Sequence, residues 1–192
     1  MQNPDGGFIL GIWYNGSNIG TSGQGLIRTN SIGDTLWCRR FAPTYSASGV
    51  GYFGARLSDN SFISSGFFQD GNFQATLCKV NSSGNLVFGK RYFLNSNNSV
   101  FYSSTETSDG GILSTGSIRY FSLGLPTDKI LITKTDKLGN LKWAKAYDNG
   151  YSSFGQRLIE LSDKSIVTIG YQENSFQTDK DIVVIRTDSI GN

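Results

Sequence analysis

Three charged residues recur at one position of an internal repeat: Arg56, Glu106 and Glu160. Two carboxyl groups at a defined separation can run glycoside hydrolysis, one protonating the leaving oxygen while the other attacks or activates water. Glu106 and Glu160 are the pair to consider. Equivalent repeat positions give them similar surroundings, without the pKa separation that such work uses. A solvated charge ladder is the plainer reading, and no catalytic residue is assigned.

The chain has no His, which removes the imidazole base of Ser-His-Asp and Cys-His sites and the commonest transition-metal ligand. Two cysteines, Cys38 and Cys78, cannot make a zinc site alone. They read as two small buried thiols, a single disulfide being the alternative. Asp128, Asp136, Asp179, Asp181 and Asp188 are scattered and match no calcium-loop pattern, so turn capping accounts for them. No metal and no cofactor is expected. A net charge of +2 argues for neither nucleic acid nor an anionic membrane surface. No apolar run approaches the roughly 18 residues of a membrane span, so no membrane insertion is expected.

The elements that position these residues are strands. Gly, Ser and Asn make up a third of the 192 residues, aromatics 13% and charged residues 17%. That composition fits an all-β domain of short strands and many turns. Three landmarks recur about every 50 residues. The first is an acidic turn: Asp5-Gly6-Gly7, Asp59-Asn60-Ser61, Asp109-Gly110-Gly111 and Asp163-Lys164-Ser165. The second is a basic residue before an Asx-x-x-Gly turn, at Arg28, Lys79, Lys134 and Arg186. The third is Trp37, Phe88 and Trp143 on a strand that ends at Phe41, Tyr92 and Tyr147.

In each Asx-x-x-Gly turn the Asx side chain caps its own backbone and Gly supplies the positive φ, and the acidic turn joins two further strands in the same way. Each repeat then yields four strands, in the second repeat 51–57, 62–68, 73–80 and 86–92. Ile130-Leu131-Ile132 and Ile182-Val183-Val184-Ile185 are apolar on both faces, as in a sheet sandwiched between sheets. A four-stranded unit of this period is a β-propeller blade. The expectation is therefore a single β-propeller domain with repeats over about 1–50, 51–100, 101–150 and 151–192. The first blade lacks its inner strand and the last its outer strand. That favours an arc of a larger propeller, of about seven or eight blades, over a closed four-bladed ring.

The run Ser108-Asp109-Gly110-Gly111-Ile112-Leu113, then Asp128 to Asp136, then Gly139-Asn140-Leu141-Lys142-Trp143 resembles secreted Bacteroidetes β-propeller repeats. Such repeats occur in cargo of type IX secretion systems. The blades are also distantly similar to those of quinoproteins, although the Asx turn is one residue shorter and no quinone is implied. The resemblance implies an extracellular or outer-surface location and export through the type IX translocon. It also implies O-glycosylation at Asp-Thr/Ser-apolar sites, matched by Thr35 in Asp34-Thr35-Leu36 and Ser189 in Asp188-Ser189-Ile190.

Two pairs that carry aromatic side chains stand where one rim is expected. Trp13-Tyr14 precedes a Gly-, Ser- and Asn-rich loop over 15–24, and Arg119-Tyr120 precedes one over 122–127. They suit a binding surface for glycan or a surface protein, with strand-end core aromatics as the plainer alternative. The expected function is a non-catalytic scaffold or adhesive module, its partners the translocon and other domains of the same polypeptide. The alternative is part of a propeller-fold glycoside hydrolase or lyase whose catalytic residues lie outside this segment.

Overall fold

In the computed structural model the described residues are 2–16, 21–41, 48–94, 98–122, 125–148, 150–173 and 179–192. They form fourteen strands and, among the described residues, no helix. The strands are β1 (Ile9–Gly16), β2 (Thr21–Thr29), β3 (Thr35–Phe41), β4 (Ser48–Arg56), β5 (Phe62–Asp70), β6 (Asn72–Val80) and β7 (Leu86–Tyr92) in the first compact unit, Met1–Tyr92. The second unit, Phe93–Asn192, holds β8 (Ser99–Glu106), β9 (Ile112–Ser122), β10 (Leu125–Thr135), β11 (Leu141–Tyr147), β12 (Ser152–Glu160), β13 (Ile166–Glu173) and β14 (Lys180–Thr187).

Each unit contains two antiparallel sheets whose strands neighbour one another in chain order, which is blade topology. The sheets β4–β7 and β8–β11 have four strands, whereas β1–β3 and β12–β14 have three. The all-β propeller-blade expectation therefore holds, and among the described residues the first sheet keeps only the Gln2–Phe8 bridge at the inner-strand position while the last has no fourth strand. A register shift recurs where inner strand meets second strand, at Gly51/Phe53, Phe101/Ser103 and Gly155/Arg157. An irregularity at one recurring point of the blade is the kind that bends an inner strand.

Burial follows the repeat. In the first unit Ile9, Leu26, Phe62 and Val80 form a buried cluster with Trp37 and Phe41 packed against it. In the second, Leu113, Ile130, Ile132, Leu158 and Ile166 do so with Trp143, Tyr147, Val183 and Ile185. Ile130, Leu131 and Ile132 are all at 1% exposure or less, so this stretch of β10 is buried on both faces. The parallel expectation for β14 is corrected. Ile182 and Val184 are 77% and 62% exposed, while Val183 and Ile185 pack inward. β14 is the edge strand of a three-stranded sheet, and only one of its faces is covered.

Candidate functional site

The acidic turn is a two-way clip. Asp5, Asp59, Asp109 and Asp163 each accept, through Oδ1, the backbone N–H two residues on, at 3.1, 2.9, 3.0 and 2.9 Å. The other oxygen pairs with the basic landmark on the third strand of the blade's repeat: Asp5 with Arg28, Asp59 with Lys79 at 2.7 Å, Asp109 with Lys134 at 2.8 Å and Asp163 with Arg186 at 2.7 Å. The sequence shows both landmarks but not that they meet. Burial pushes the Asp59 carboxyl up, and the Lys79 ammonium and Ser61 outweigh that, leaving it at about 2. Lys134 likewise lowers Asp109, and Arg28 lowers Asp5. These carboxylates are held ionised, the opposite of what a general acid needs.

The inner strands end on the three recurring charges. Arg56 closes β4 and donates to Asn60 of its own turn. Glu106 closes β8, and Glu160 closes β12 in the same unit. Glu160 accepts the Ser108 backbone N–H at 2.7 Å.

The expected rim residues sit on strands. β1 continues to Gly16 and β2 begins at Thr21, while β9 runs to Ser122 and β10 starts at Leu125. The loops expected over 15–24 and 122–127 are thus largely hairpin, because cross-strand pairing carries Gly, Ser and Asn into the ladder. Residues 17–20 and 123–124 lie outside the described residues. Trp13 is 55% exposed. Tyr14 lies under the Arg40 guanidinium, 5.0 Å from its ring centroid. Arg119 is tied to Asp128 by two hydrogen bonds, at 3.2 and 2.8 Å. Tyr120 has the Lys129 ammonium 4.8 Å from its ring centre. Each pair occupies the corresponding hairpin of its own blade, Trp13 and Tyr14 in the first unit, Arg119 and Tyr120 in the second.

Thr35 and Ser189 are both exposed. They sit at different points of the Asx turn: Thr35 opens β3 after it, and Ser189 is the second residue within it. Both cysteines are free. Cys78 is buried as expected, but Cys38 is exposed, because it lies on the uncovered face of β3, a strand of the three-stranded first sheet. Burial pushes the Cys78 thiol up to about 12.

Sequence reasoning missed a cleft of about 380 Å³ between the first two sheets. Its walls include Asn3, Asp5, Arg28, Trp37, Arg56 and Phe62. Trp37 and Phe62 meet edge to face with centroids 5.7 Å apart. Trp37 is anchored by donating its indole N–H to the Ser82 carbonyl at 3.2 Å. Among the described residues, Arg56 has no carboxylate partner. The signal available in the sequence was the departure of Asn3, Pro4 and Arg56 from their repeat equivalents Thr107, Ser108 and Glu160.

No family model and no curated protein matches the sequence. Solved structures do resemble it. One described as a glycoside hydrolase superposes over 100% of this chain and 70% of its own, with a TM-score of 0.51 and 10% identity. A Bombyx mori GH32 beta-fructofuranosidase matches 98% of this chain and 46% of its own, with a TM-score of 0.51 and 13% identity. This chain spans less than half of the latter. The likeness establishes the fold, and it corrects the expectation of a non-enzymatic module. The blades are of the kind that enzymes are built on.

Proposed function

We propose that this chain is part of a propeller-fold carbohydrate-active enzyme of the glycoside hydrolase kind, contributing saccharide-binding surface. The observation that carries the reading is the whole-chain likeness to two glycoside hydrolase structures. The cleft beside Trp37 supports it, since an aromatic face flanked by a few polar groups is the usual make-up of a small-molecule site. The acid and base lie outside this segment. Every described Asp with a displaced pKa is displaced downward, by basic, hydroxyl or amide side chains or by turn N–H groups. The test is a panel of oligosaccharides titrated into this chain by calorimetry, with release of reducing ends followed in parallel in the native polypeptide. Saccharide binding by this chain and hydrolysis by the native polypeptide are expected. A panel without binding, or a native polypeptide without hydrolysis, overturns the proposal.

Export to the cell surface through a type IX system is proposed alongside it. It rests on the repeat resemblance, and the exposure of Thr35 and Ser189 supports it. Mass spectrometry of native material is expected to find glycan on peptides containing these residues. Unmodified peptides in protein recovered only from the cytosol would sink it.

A further inference from the structure

The two units offer an internal comparison at one location. In the second unit, Ser108 bridges the adjoining blade. Its N–H donates to Glu160 at 2.7 Å, and its hydroxyl accepts from Lys164 at 2.6 Å. The neighbouring Thr107 hydroxyl is spent on Asp109 at 2.5 Å. The repeat equivalents in the first unit are Pro4 for Ser108, Arg56 for Glu160, Asn60 for Lys164 and Asn3 for Thr107. Proline has no N–H to donate. Arg56 and Asn60 bond to each other on their own side. The bridge therefore has no counterpart, and the first unit carries the 380 Å³ cleft there instead.

What lines that cleft is chemically specific. Asn3 is 6% exposed, and its side-chain carbonyl oxygen is buried with no hydrogen-bond partner. A buried acceptor left unpaired costs free energy unless something donates to it. Asp5 is neutralised by Arg28, whose other N–H groups go to the Thr29 and Phe8 carbonyls. That leaves Arg56 as the available cation, where the second unit has the carboxylate of Glu160. Trp37 supplies an aromatic face beside it.

We infer that this cleft is a binding site for an acidic saccharide, a uronate whose carboxylate pairs with Arg56. A sugar hydroxyl donates to the Asn3 carbonyl oxygen, and the C–H face of the ring lies along Trp37. A planar guanidinium matches a carboxylate with two parallel hydrogen bonds. The inference rests on the saccharide reading above and adds the substrate class.

The test titrates the full chain with tri-galacturonate, with a neutral trisaccharide of the same linkage and with tri-glutamate. Tri-galacturonate is expected to bind at least about tenfold more tightly than either, the worth of one charge-assisted hydrogen-bonded pair. Arg56→Gln should abolish that preference. The double variant Pro4→Ser, Arg56→Glu recreates the N–H to carboxylate half of the second unit's bridge and should lose binding while keeping its melting temperature. Equal affinity for the neutral sugar overturns the inference but leaves the saccharide reading standing. Equal affinity for tri-glutamate overturns it in favour of a peptide site. Undiminished binding by either variant, or no binding of tri-galacturonate, also overturns it. The wider oligosaccharide panel decides the broader reading separately.

Discussion

Asp59 and Lys79 meet at 2.7 Å, joining the first turn of a blade to the end of its third strand. The same bond joins Asp109 to Lys134 and Asp163 to Arg186, so one ion pair is the repeating clasp of the architecture. Lys79 is almost covered while Asp59 keeps about half of its surface. The pair therefore gains more than an exposed one but stays partly screened by solvent.

Acid should loosen this clasp in a defined window. The folded-state pKa of Asp59 is about 2, against 3.8 for the ordinary group. A depressed carboxyl adds stability above its unfolded value, and that stability is lost as pH falls through the folded value. Urea midpoints measured from pH 5 to pH 2 should fall mainly below about pH 4. Asp59→Asn should be less stable at pH 6, by about 1 kcal/mol or less, and should show a flatter acid slope. Parallel slopes for the two proteins would show that Asp59 does not titrate in this way.

The turn residue after each clasp aspartate has positive φ. Gly6 and Gly110 stand at 80° and 76°, but Asn60 and Lys164 take 63° and 66°. A left-handed backbone costs a side-chain-bearing residue about 1–2 kcal/mol, partly offset by glycine's freedom in the unfolded chain. Lys164→Gly and Lys164→Ala both lose the bond to Ser108, so Lys164→Gly should be the more stable of the two by about 1 kcal/mol, and Gly110→Ala should destabilise the protein by about 1 kcal/mol. A Cβ at Gly110 meets nothing within 4 Å, so Gly110→Ala isolates backbone strain. Thermal melts showing Lys164→Gly no more stable than Lys164→Ala would refute the account.

Much of this fold is legible in the sequence because turn chemistry is local. The Asx turns need only a side-chain oxygen and N–H groups two and four residues on, as at Asp136 with Leu138 and Asn140. Strand placement in the second blade followed from those turns to within about three residues. The stretches 15–24 and 122–127 read as loops in the sequence because Gly, Ser and Asn also signal turns, and only cross-strand pairing separates the two. The cleft at Arg56 is only faintly legible, for a different reason. It depends on what Pro4, Asn3 and Trp37 of one sheet present to the next, and no local pattern records that contact.

The cysteines should separate by reactivity. Cys38 is exposed, whereas Cys78 is buried against the Gln24 side-chain amide, 2.7 Å from its sulfur, with its thiol at about 12. Only a thiolate attacks a disulfide reagent. An aromatic disulfide at pH 8 should titrate one thiol per native chain and two in guanidinium. Two fast thiols in the native protein would contradict the burial of Cys78.

The sharpest contrast in burial lies between equivalent strands. Ile132 of β10 and Val184 of β14 hold the same repeat position, yet Ile132 is fully buried and Val184 is 62% exposed. Ile132 packs in the cluster with Leu113 and Leu158. Removing its side chain leaves a cavity that rigid neighbours cannot fill, so Ile132→Ala should cost about 2–5 kcal/mol. Val184→Ala removes atoms already in water and should change stability by about 0.5 kcal/mol or less. Replacing Val184 with Lys should be equally mild, because no apolar surface covers it. Urea unfolding of the three variants measures this directly. A loss above about 2 kcal/mol for either Val184 variant would mean that a partner surface covers β14 in solution, and the exposed face would then be an interface.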